Sequence, residues 1–318
     1  MKIVLSRKGF DSSNGNVASP IFLHEDGTLS LYSLPIPMRQ AACEYADIQW
    51  NQSNLQVLIS QLRYRKKTRL PDTAHLDPDL VRDALKNRHR DWRPIFGQRG
   101  PQETQLQNMG VNDPAGDRSG RPLFLFFGWY RETKSTNQKY AYVRKSPNIH
   151  ALFGWLQVEQ KITLKDREHR KQVGRLMPWA AKHPHVDCDD DDSVPNAIYV
   201  APKPGSETDR LVLDGRDTGL PASGMFRRFD PGAHRLTREG STRTNWLLPL
   251  WFYRDSAPTL GMHSDVKRWT PNDPEHIRLR TVGRGQEFVF DSRDHEEKQV
   301  FDWVECIIRA GQSRCAAK

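Results

Sequence analysis

Cysteine is scarce in this sequence, and its few copies are scattered. Four cysteines occur in 318 residues, and no two of them stand in a C-x-x-C pair. So few cysteines cannot build a disulfide framework, and we therefore expect a chain that folds in a reducing compartment.

Long apolar runs are also missing. No stretch of about 18 consecutive apolar residues, the length that predicts a membrane-spanning helix, occurs in the chain. The segment from Met1 to Lys8 looks like a short strand that ends in charge, not like a signal peptide. We therefore expect a cytoplasmic protein with no membrane partner.

Repeats, low-complexity tracts and the common nucleotide and calcium motifs are absent as well. The loop from Lys8 to Asn16 is rich in glycine, serine and asparagine, but it lacks the G-K-S/T ending of a Walker loop. The acidic run from Asp187 to Asp192 lacks the glycine and the spacing of a calcium loop. The chain has to be classified from its charge, its periodicity and its histidines.

Basic residues outnumber acidic ones and are clustered. The formal net charge is +9, and basic surface concentrates phosphate and releases counterions when it binds a polyanion. Aromatic residues such as Tyr64 and Trp92 interleave with the basic clusters, a mixture that suits stacking on bases. The pattern predicts nucleic acid as a partner, with DNA as the first choice. Any one charge run is also what a solvated helix face looks like.

Periodicity indicates strands along the whole chain with helices between them. The apolar run from Leu123 to Tyr130 lacks alternation, which is typical of a strand buried on both faces. Further strands are predicted at 2–5, 29–34, 150–158, 197–201, 246–253 and 287–290, and helices at 53–65, 79–86 and 296–309. The sequence thus predicts an α+β fold, a mixed sheet core with interspersed helices. Residues 1–318 would form a single large domain or two interdependent lobes.

Histidines beside acidic residues are the most informative feature that is present. His75-Leu76-Asp77 and His183-Pro184-His185 each place two side chains two positions apart, so that in extended backbone both point the same way. The prolines that follow Asp77 and His183 favour this extended geometry. Two imidazoles and a carboxylate that leave open positions suit a non-haem iron site, and zinc or manganese accepts the same ligands.

The same pairs also have a plainer interpretation. The chain holds 11 histidines, so one such pair can arise by chance. The metal hypothesis therefore rests on the presence of two pairs, each next to a proline. The candidate ligands are His75, Asp77, His183 and His185, and His150 and Asp11 are further candidates.

Several blocks of the chain resemble a known family. They are Ile3 to Ser13, Ser19 to Ile21, Leu34 to Pro37, His75 to Leu80, Leu123 to Trp129, Phe153 to Gln157, His183 to His185, Asn196 to Val200 and Arg284 to Phe288. Together they look like the nucleotide modification associated domain, type three, over most of the chain from residue 3 to about 305. The resemblance implies a domain associated with bacterial and phage systems that modify nucleic-acid bases.

The leading hypothesis is a metal-dependent enzyme that modifies a nucleic-acid base or a base adduct. Iron is the expected cofactor, with zinc and manganese as alternatives, and a small-molecule co-substrate is compatible with this chemistry. Asp11 and Glu287 are the candidate catalytic residues, with Glu287 as an acid or a base.

Other residues are candidates for holding the substrate. Lys8, Ser12, Ser13 and Arg284 are the candidate contacts to phosphate, because lysine, arginine and a loop that exposes backbone NH groups bind anions. Trp129, Trp155 or Phe226 could stack on an extruded base.

Two other functions remain open at this point. A metal-dependent nuclease or hydrolase would use the same ligands to activate water against a phosphodiester. A non-catalytic DNA-binding accessory protein would use the histidines for structure alone.

Overall fold

The computed structural model describes most of the chain. The described residues are 1–39, 41–51, 53–64, 66, 69–112, 114, 120–136, 139–189, 191–254, 257–282 and 287–312. The strands within them are β1 (Lys2–Arg7), β2 (Ser19–Leu23), β3 (Leu29–Leu31), β4 (Ile36–Pro37), β5 (Gln49–Trp50), β6 (Ser53–Asn54), β7 (Ala74–His75), β8 (Ile95–Arg99), β9 (Leu123–Thr136), β10 (Lys139–Tyr142), β11 (Ile149–Gln157), β12 (Gln160–Thr163), β13 (Asn196–Val200), β14 (Val212–Leu213), β15 (Arg216–Asp217), β16 (Ser223–Met225), β17 (Asn245–Pro249), β18 (Tyr253–Arg254), β19 (Ala257–Pro258), β20 (Trp269–Pro271), β21 (His276–Arg280) and β22 (Glu287–Asp291). The α-helices are α1 (Leu55–Leu62), α2 (Pro101–Asn108), α3 (Arg167–Leu176), α4 (Pro231–His234) and α5 (Glu297–Gln312).

The long strand β9 is the centre of the main sheet. The main path of this sheet has the order β16-β11-β9-β1-β22, while β2 and β10 also pair with β9, and β3 pairs with β2. Strands β1 and β2 run parallel to β9, whereas β10 and β11 are antiparallel to it. The fold is therefore α+β with a mixed sheet core and interspersed helices in a single domain, as predicted.

The main sheet is buried on both faces, and the side chains of β9 alternate between the two hydrophobic clusters that cover them. Leu125 and Phe127 face a cluster that includes residues of α5, β17 and β21. On the other face Phe124 packs against Phe96 of β8 and Tyr199 of β13. The small antiparallel sheet β12-β13-β8 thus covers this second face. The prediction of a strand buried on both faces is confirmed.

Two of the three predicted helices are present. Helix α1 lies within the predicted range, with Asn54 accepting a hydrogen bond from the backbone NH of Val57 as its N-cap, and α5 closes the described chain. The prediction for 79–86 is wrong, because only Arg82–Ala84 forms a short 3-10 turn. Asp79 instead makes a β-bridge with Ile95. No helix in the described ranges has the length and apolar character that crossing a membrane requires.

Leu125 provides a test of this packing. The Leu125→Ala variant should lower the free energy of unfolding by about 2–5 kcal/mol, because Leu125 is fully buried between packed layers. The matched control Leu23→Ala removes the same atoms from a side chain that is 68% exposed on β2, and it should change stability by about 0.5 kcal/mol or less. Urea unfolding followed by tryptophan fluorescence measures both, and equal losses would contradict the two-faced core.

Candidate functional site

A loop between β1 and β2 forms one side of the site. Both strands lie along β9, with Arg7 opposite Phe127 and Ser19 opposite Tyr130, so residues 8–18 leave the sheet and return to it a short distance further along. Asp11 holds this loop in shape by accepting hydrogen bonds from the backbone NH groups of Ser13 and Asn14 at 2.7 and 2.6 Å. The loop therefore stands beside the middle of β9 and forms a fixed rim.

His75 and Asp77 lie opposite this loop, but not in the extended geometry that the spacing predicts. His75 ends β7, and the backbone NH of Asp77 donates to the His75 carbonyl at 2.9 Å, which makes a tight turn. Asp77 is anchored to the small sheet because its Oδ1 accepts a hydrogen bond from the backbone NH of Gly97 at 2.7 Å. Both side chains reach the site through this turn and anchor.

His183 and His185 also lie in turns instead of a strand. The backbone NH groups of Val186 and Asp187 both donate to the His183 carbonyl at 2.8 Å. The amide nitrogen of Asn196 donates to the backbone carbonyl of His185 at 3.0 Å, so its Oδ1 faces His185 Nδ1 at 2.8 Å and accepts the proton there. This hydrogen bond leaves Nε2 of His185 as the nitrogen with a lone pair.

These segments bring three imidazoles around one carboxylate. His183 Nε2 lies 3.3 Å from Asp77 Oδ1, and His185 Nε2 lies 3.9 Å from Asp77 Oδ2. The rings of His75 and His185 meet edge to face with centroids 5.2 Å apart. His183 Nε2 is buried and makes no hydrogen bond of good geometry with the described residues. Within those same residues no three His, Cys, Asp or Glu side chains already adopt the arrangement of a metal centre.

Burial sets the charge of this cluster. It lowers the pKa of His75 to about 4 and that of His185 to about 3, although Asp77 opposes the shift. Burial alone would raise the pKa of Asp77, but His183 and the Lys8 ammonium outweigh it and hold that pKa below its usual value. At neutral pH the cluster therefore contains uncharged imidazoles at His75 and His185 beside a charged carboxylate.

Lys8 and Glu287 lie next to the cluster. The Lys8 ammonium stands 3.8 Å from Asp77 Oδ2 and 3.7 Å from Glu287 Oε1. Glu287 is fully buried, accepts hydrogen bonds from Ser6 Oγ and Gln98 Nε2, and has a pKa raised by burial. Glu287 thus lies behind Lys8 and Gln98, where it holds them in place.

The opposite wall carries a second set of groups. His150 Nδ1 accepts a hydrogen bond from Trp246 Nε1 at 3.0 Å, and burial together with the charges of Arg243 and Arg7 lowers the pKa of His150 well below its usual value. The proton of this neutral ring is therefore on Nε2. The Arg243 guanidinium lies over the ring of Trp129, 4.5 Å from its centroid. Neither Arg7 nor Arg243 has an ion pair with a carboxylate in the described part of the chain.

The two walls enclose a pocket of about 350 Å³. Of the residues singled out from the sequence, those that line it are Lys8, Asp11, Ser12, Ser13, His75, Asp77, Trp129, His150 and His185. His183 and Glu287 are directly behind this lining, and Arg284 lies outside the described residues. The structure thus brings nearly all of the predicted site residues to one place.

Sequence reasoning missed four residues of the site. Arg7, Gln98 and Arg243 line the pocket, and Asn196 orients His185. Arg7 follows the alternation of β1, which could have placed it on the same face as Ile3 and Leu5, but the other three carry no local signal. Asp79, two residues after Asp77, does not line this pocket and accepts hydrogen bonds from Arg88 and Trp92.

The predicted base-stacking residues and the basic clusters also divide between core and surface. Trp155 and Phe226 stack on each other in the core, whereas Trp129 lines the pocket. Of the aromatic residues in the basic clusters, Trp92 is buried and Tyr64 is exposed.

Gly97 tests how tightly the site is packed. A methyl group at this position would lie 2.3 Å from His185 Cδ2, so Gly97→Ala should push the ring away from Asn196 and cost about 1–3 kcal/mol of stability. The control Gly174→Ala lies in α3, where the added methyl group meets its neighbours at ordinary distances, and it should be neutral or stabilising. Thermal unfolding and the imidazole NMR signals of His185 report both changes. A Gly97→Ala protein as stable as the parent would contradict this tight packing.

One comparison with known proteins identifies the family. The family model described as nucleotide modification associated domain 3 matches residues 2–291, which is nearly the whole chain. No curated protein and no solved structure matches the chain. The matched range includes every residue that lines the pocket. The chain belongs to the nucleotide modification associated domain 3 family.

Proposed function

We propose that the pocket is the active site of a metal-dependent enzyme that modifies a base of nucleic acid. The observation that supports this most is the convergence of His75, Asp77 and His185, from two separate segments, at one side of the pocket. The other wall carries two arginines that form no ion pair with a carboxylate among the described residues. Family membership connects the chain with nucleotide modification, while the chemistry is inferred from these side chains.

The donor set fits a divalent transition-metal ion. Two donors that each lie about 2.1 Å from a tetrahedral ion are about 3.4 Å apart, and His185 Nε2 is 3.9 Å from Asp77 Oδ2. Metal-binding histidines usually donate their second ring NH to a fixed acceptor, as His185 does to Asn196. Two neutral imidazoles and one carboxylate suit iron, and zinc and manganese accept the same donors.

Charge balance supports the same assignment. One ammonium, that of Lys8, lies near two buried carboxyl groups, those of Asp77 and Glu287, so the cluster can accept a further cation. His183 lies on the far side of Asp77 and does not line the pocket, so we assign it to holding the carboxylate in place. When bound, the metal would supply Lewis-acid activation of water or a co-substrate and, if it is iron, oxidative chemistry.

The remaining residues would position the nucleotide. Arg7 and Arg243 offer two guanidinium groups for a phosphate, which guanidinium binds through paired NH donors. Trp129 offers a ring for a base, and the Nε2–H of His150 can donate to a base edge. Asp11 shapes the loop that carries Ser12 and Ser13 at the rim. We assign Glu287 to holding Lys8, since it does not line the pocket.

A metal-dependent phosphodiester hydrolase is the second candidate. Arg7 and Arg243 share the pocket with the donor set, and this combination also suits attack of water on a phosphate ester. Nucleoside analysis of treated DNA separates the two reactions, because base modification yields a new nucleoside in an intact strand and hydrolysis yields shortened strands.

Metal content tests the site directly. Protein purified without oxygen and incubated with iron(II), manganese or zinc should bind one ion per chain, and His185→Gln should reduce this to background because it removes a donor. The matched control His234→Gln replaces another buried, hydrogen-bonded histidine that does not line the pocket, and it should keep the metal. Equal metal content in the parent protein and in His185→Gln would exclude the assignment, and so would the absence of any bound ion.

Asn196 should act through His185. The Asn196→Ala variant frees the His185 ring to rotate and should weaken metal binding by about 10–100-fold. The Asn196→Asp variant keeps an acceptor for His185 Nδ1 and should recover most of the affinity. Metal titration of the three proteins measures this, and equal affinities would show that Asn196 has no positioning role.

A further inference from the structure

A second and larger cavity adjoins the pocket. Its volume is about 740 Å³, roughly twice that of the pocket, and Trp129 lines both. We call the basic residues and tyrosines that line it the basic groove; they are Tyr64, Lys66, Arg131, Tyr142, Arg144 and Lys145. The groove continues the pocket wall, because Trp129 and Arg131 are two residues apart on β9 and project from the same face.

The basic groove has an uncompensated positive charge. Four of its residues are lysine or arginine, and the described residues that line the cavity include no aspartate or glutamate. None of the four forms an ion pair with a carboxylate in the part of the chain that the structure describes. Arg131 is fixed instead by hydrogen bonds to Ser146 Oγ and the Val143 carbonyl. This arrangement suits a partner with repeated negative charges.

Aromatic rings lie between these charges. The side chain of Tyr64 is 67% exposed, so its ring is accessible to a base. Trp129 is held in one orientation because its indole NH donates to Asn148 Oδ1 at 2.8 Å. Here an exposed tyrosine and a half-buried tryptophan lie beside cations that form no ion pair with a described carboxylate. Accessible rings beside such cations are the combination that binds single-stranded nucleic acid, because phosphates contact the cations and unpaired bases stack on the rings.

We propose that the basic groove binds the single strand of nucleic acid that flanks the nucleotide held in the pocket. This inference rests on the proposed function, since the pocket supplies the position of the target base. The strand would run along the face of β9 that carries Arg131 and enter the pocket at Trp129. The substrate is therefore a polynucleotide and not a free nucleotide.

Binding of a short fluorescein-labelled oligonucleotide, followed by anisotropy over a range of salt concentrations, tests the groove. The double variant Arg144→Glu, Lys145→Glu should weaken binding at least about tenfold. It should also make the slope of log K against log salt concentration shallower by about 0.7 for each phosphate that is no longer neutralised. Tyr64→Ala should weaken binding about fivefold or more. All three side chains are exposed, so the fold should be retained.

The matched control places the same charge change elsewhere. Arg227 and Arg228 are also adjacent and exposed but line neither the pocket nor the groove, and Arg227→Glu, Arg228→Glu should leave affinity within about twofold. Equal losses of affinity in the two double variants would overturn the proposal. So would tighter binding of the duplex than of the single strand, or displacement of the oligonucleotide by polyglutamate at an equal concentration of charge.

Two further arms separate this inference from the proposed function. The His185→Gln variant should bind the oligonucleotide as the parent protein does, while the groove variants should keep their metal content. A variant that loses metal but binds the strand as the parent does tests the pocket alone. A variant that keeps its metal but loses strand binding tests the groove alone. DNA and RNA of the same sequence both offer phosphates and bases that can stack. Their relative affinities therefore identify the natural strand.

Discussion

The site depends on one buried carboxylate. Asp77 has almost no exposure, and its oxygens lie among the NH of Gly97, the rings of His183 and His185, and the Lys8 ammonium. A buried charge without such partners would cost several kcal/mol, so the fold must keep these separate segments together around it. Because these partners must surround Asp77, uncharged imidazoles, a lysine and the backbone of the small sheet lie together at one side of the pocket.

Strand β9 serves both the core and the site. Its first half alternates large side chains between two clusters and is buried on both faces. Further along, the same alternation carries Trp129 and Arg131 to a polar surface, next to the loop that separates β1 from β2. The packed core thereby holds in place the side chains for which we propose contacts with nucleic acid.

The two walls of the pocket differ in their electrostatics. Burial keeps His75 and His185 neutral beside Asp77, which gives one wall lone pairs and a negative charge. The other wall presents Arg7 and Arg243, which form no ion pair with a carboxylate in the described residues and share the nearby charge of Asp11. This separation suits a ligand with an anionic group at one end and a reacting group at the other, as a nucleotide in a strand would have. The basic groove extends the positive side of this pattern.

The sequence by itself determined the class of the fold and most of the residues of the site. Periodicity predicted the buried strand β9 and the amphipathic helix α5, and residue chemistry singled out His75, Asp77 and His185, because these signals are local in the chain. It predicted the wrong backbone at both pairs, since local hydrogen bonds to the carbonyls of His75 and His183 form turns in place of extended geometry.

Only the tertiary structure decided which side chains share the pocket. Arg243 lies over Trp129, which is far away in sequence. His183 and Glu287 lie behind the lining because they contact Asp77 and Lys8, which line the cavity. Packing of distant segments sets these positions, and no short stretch of sequence records it.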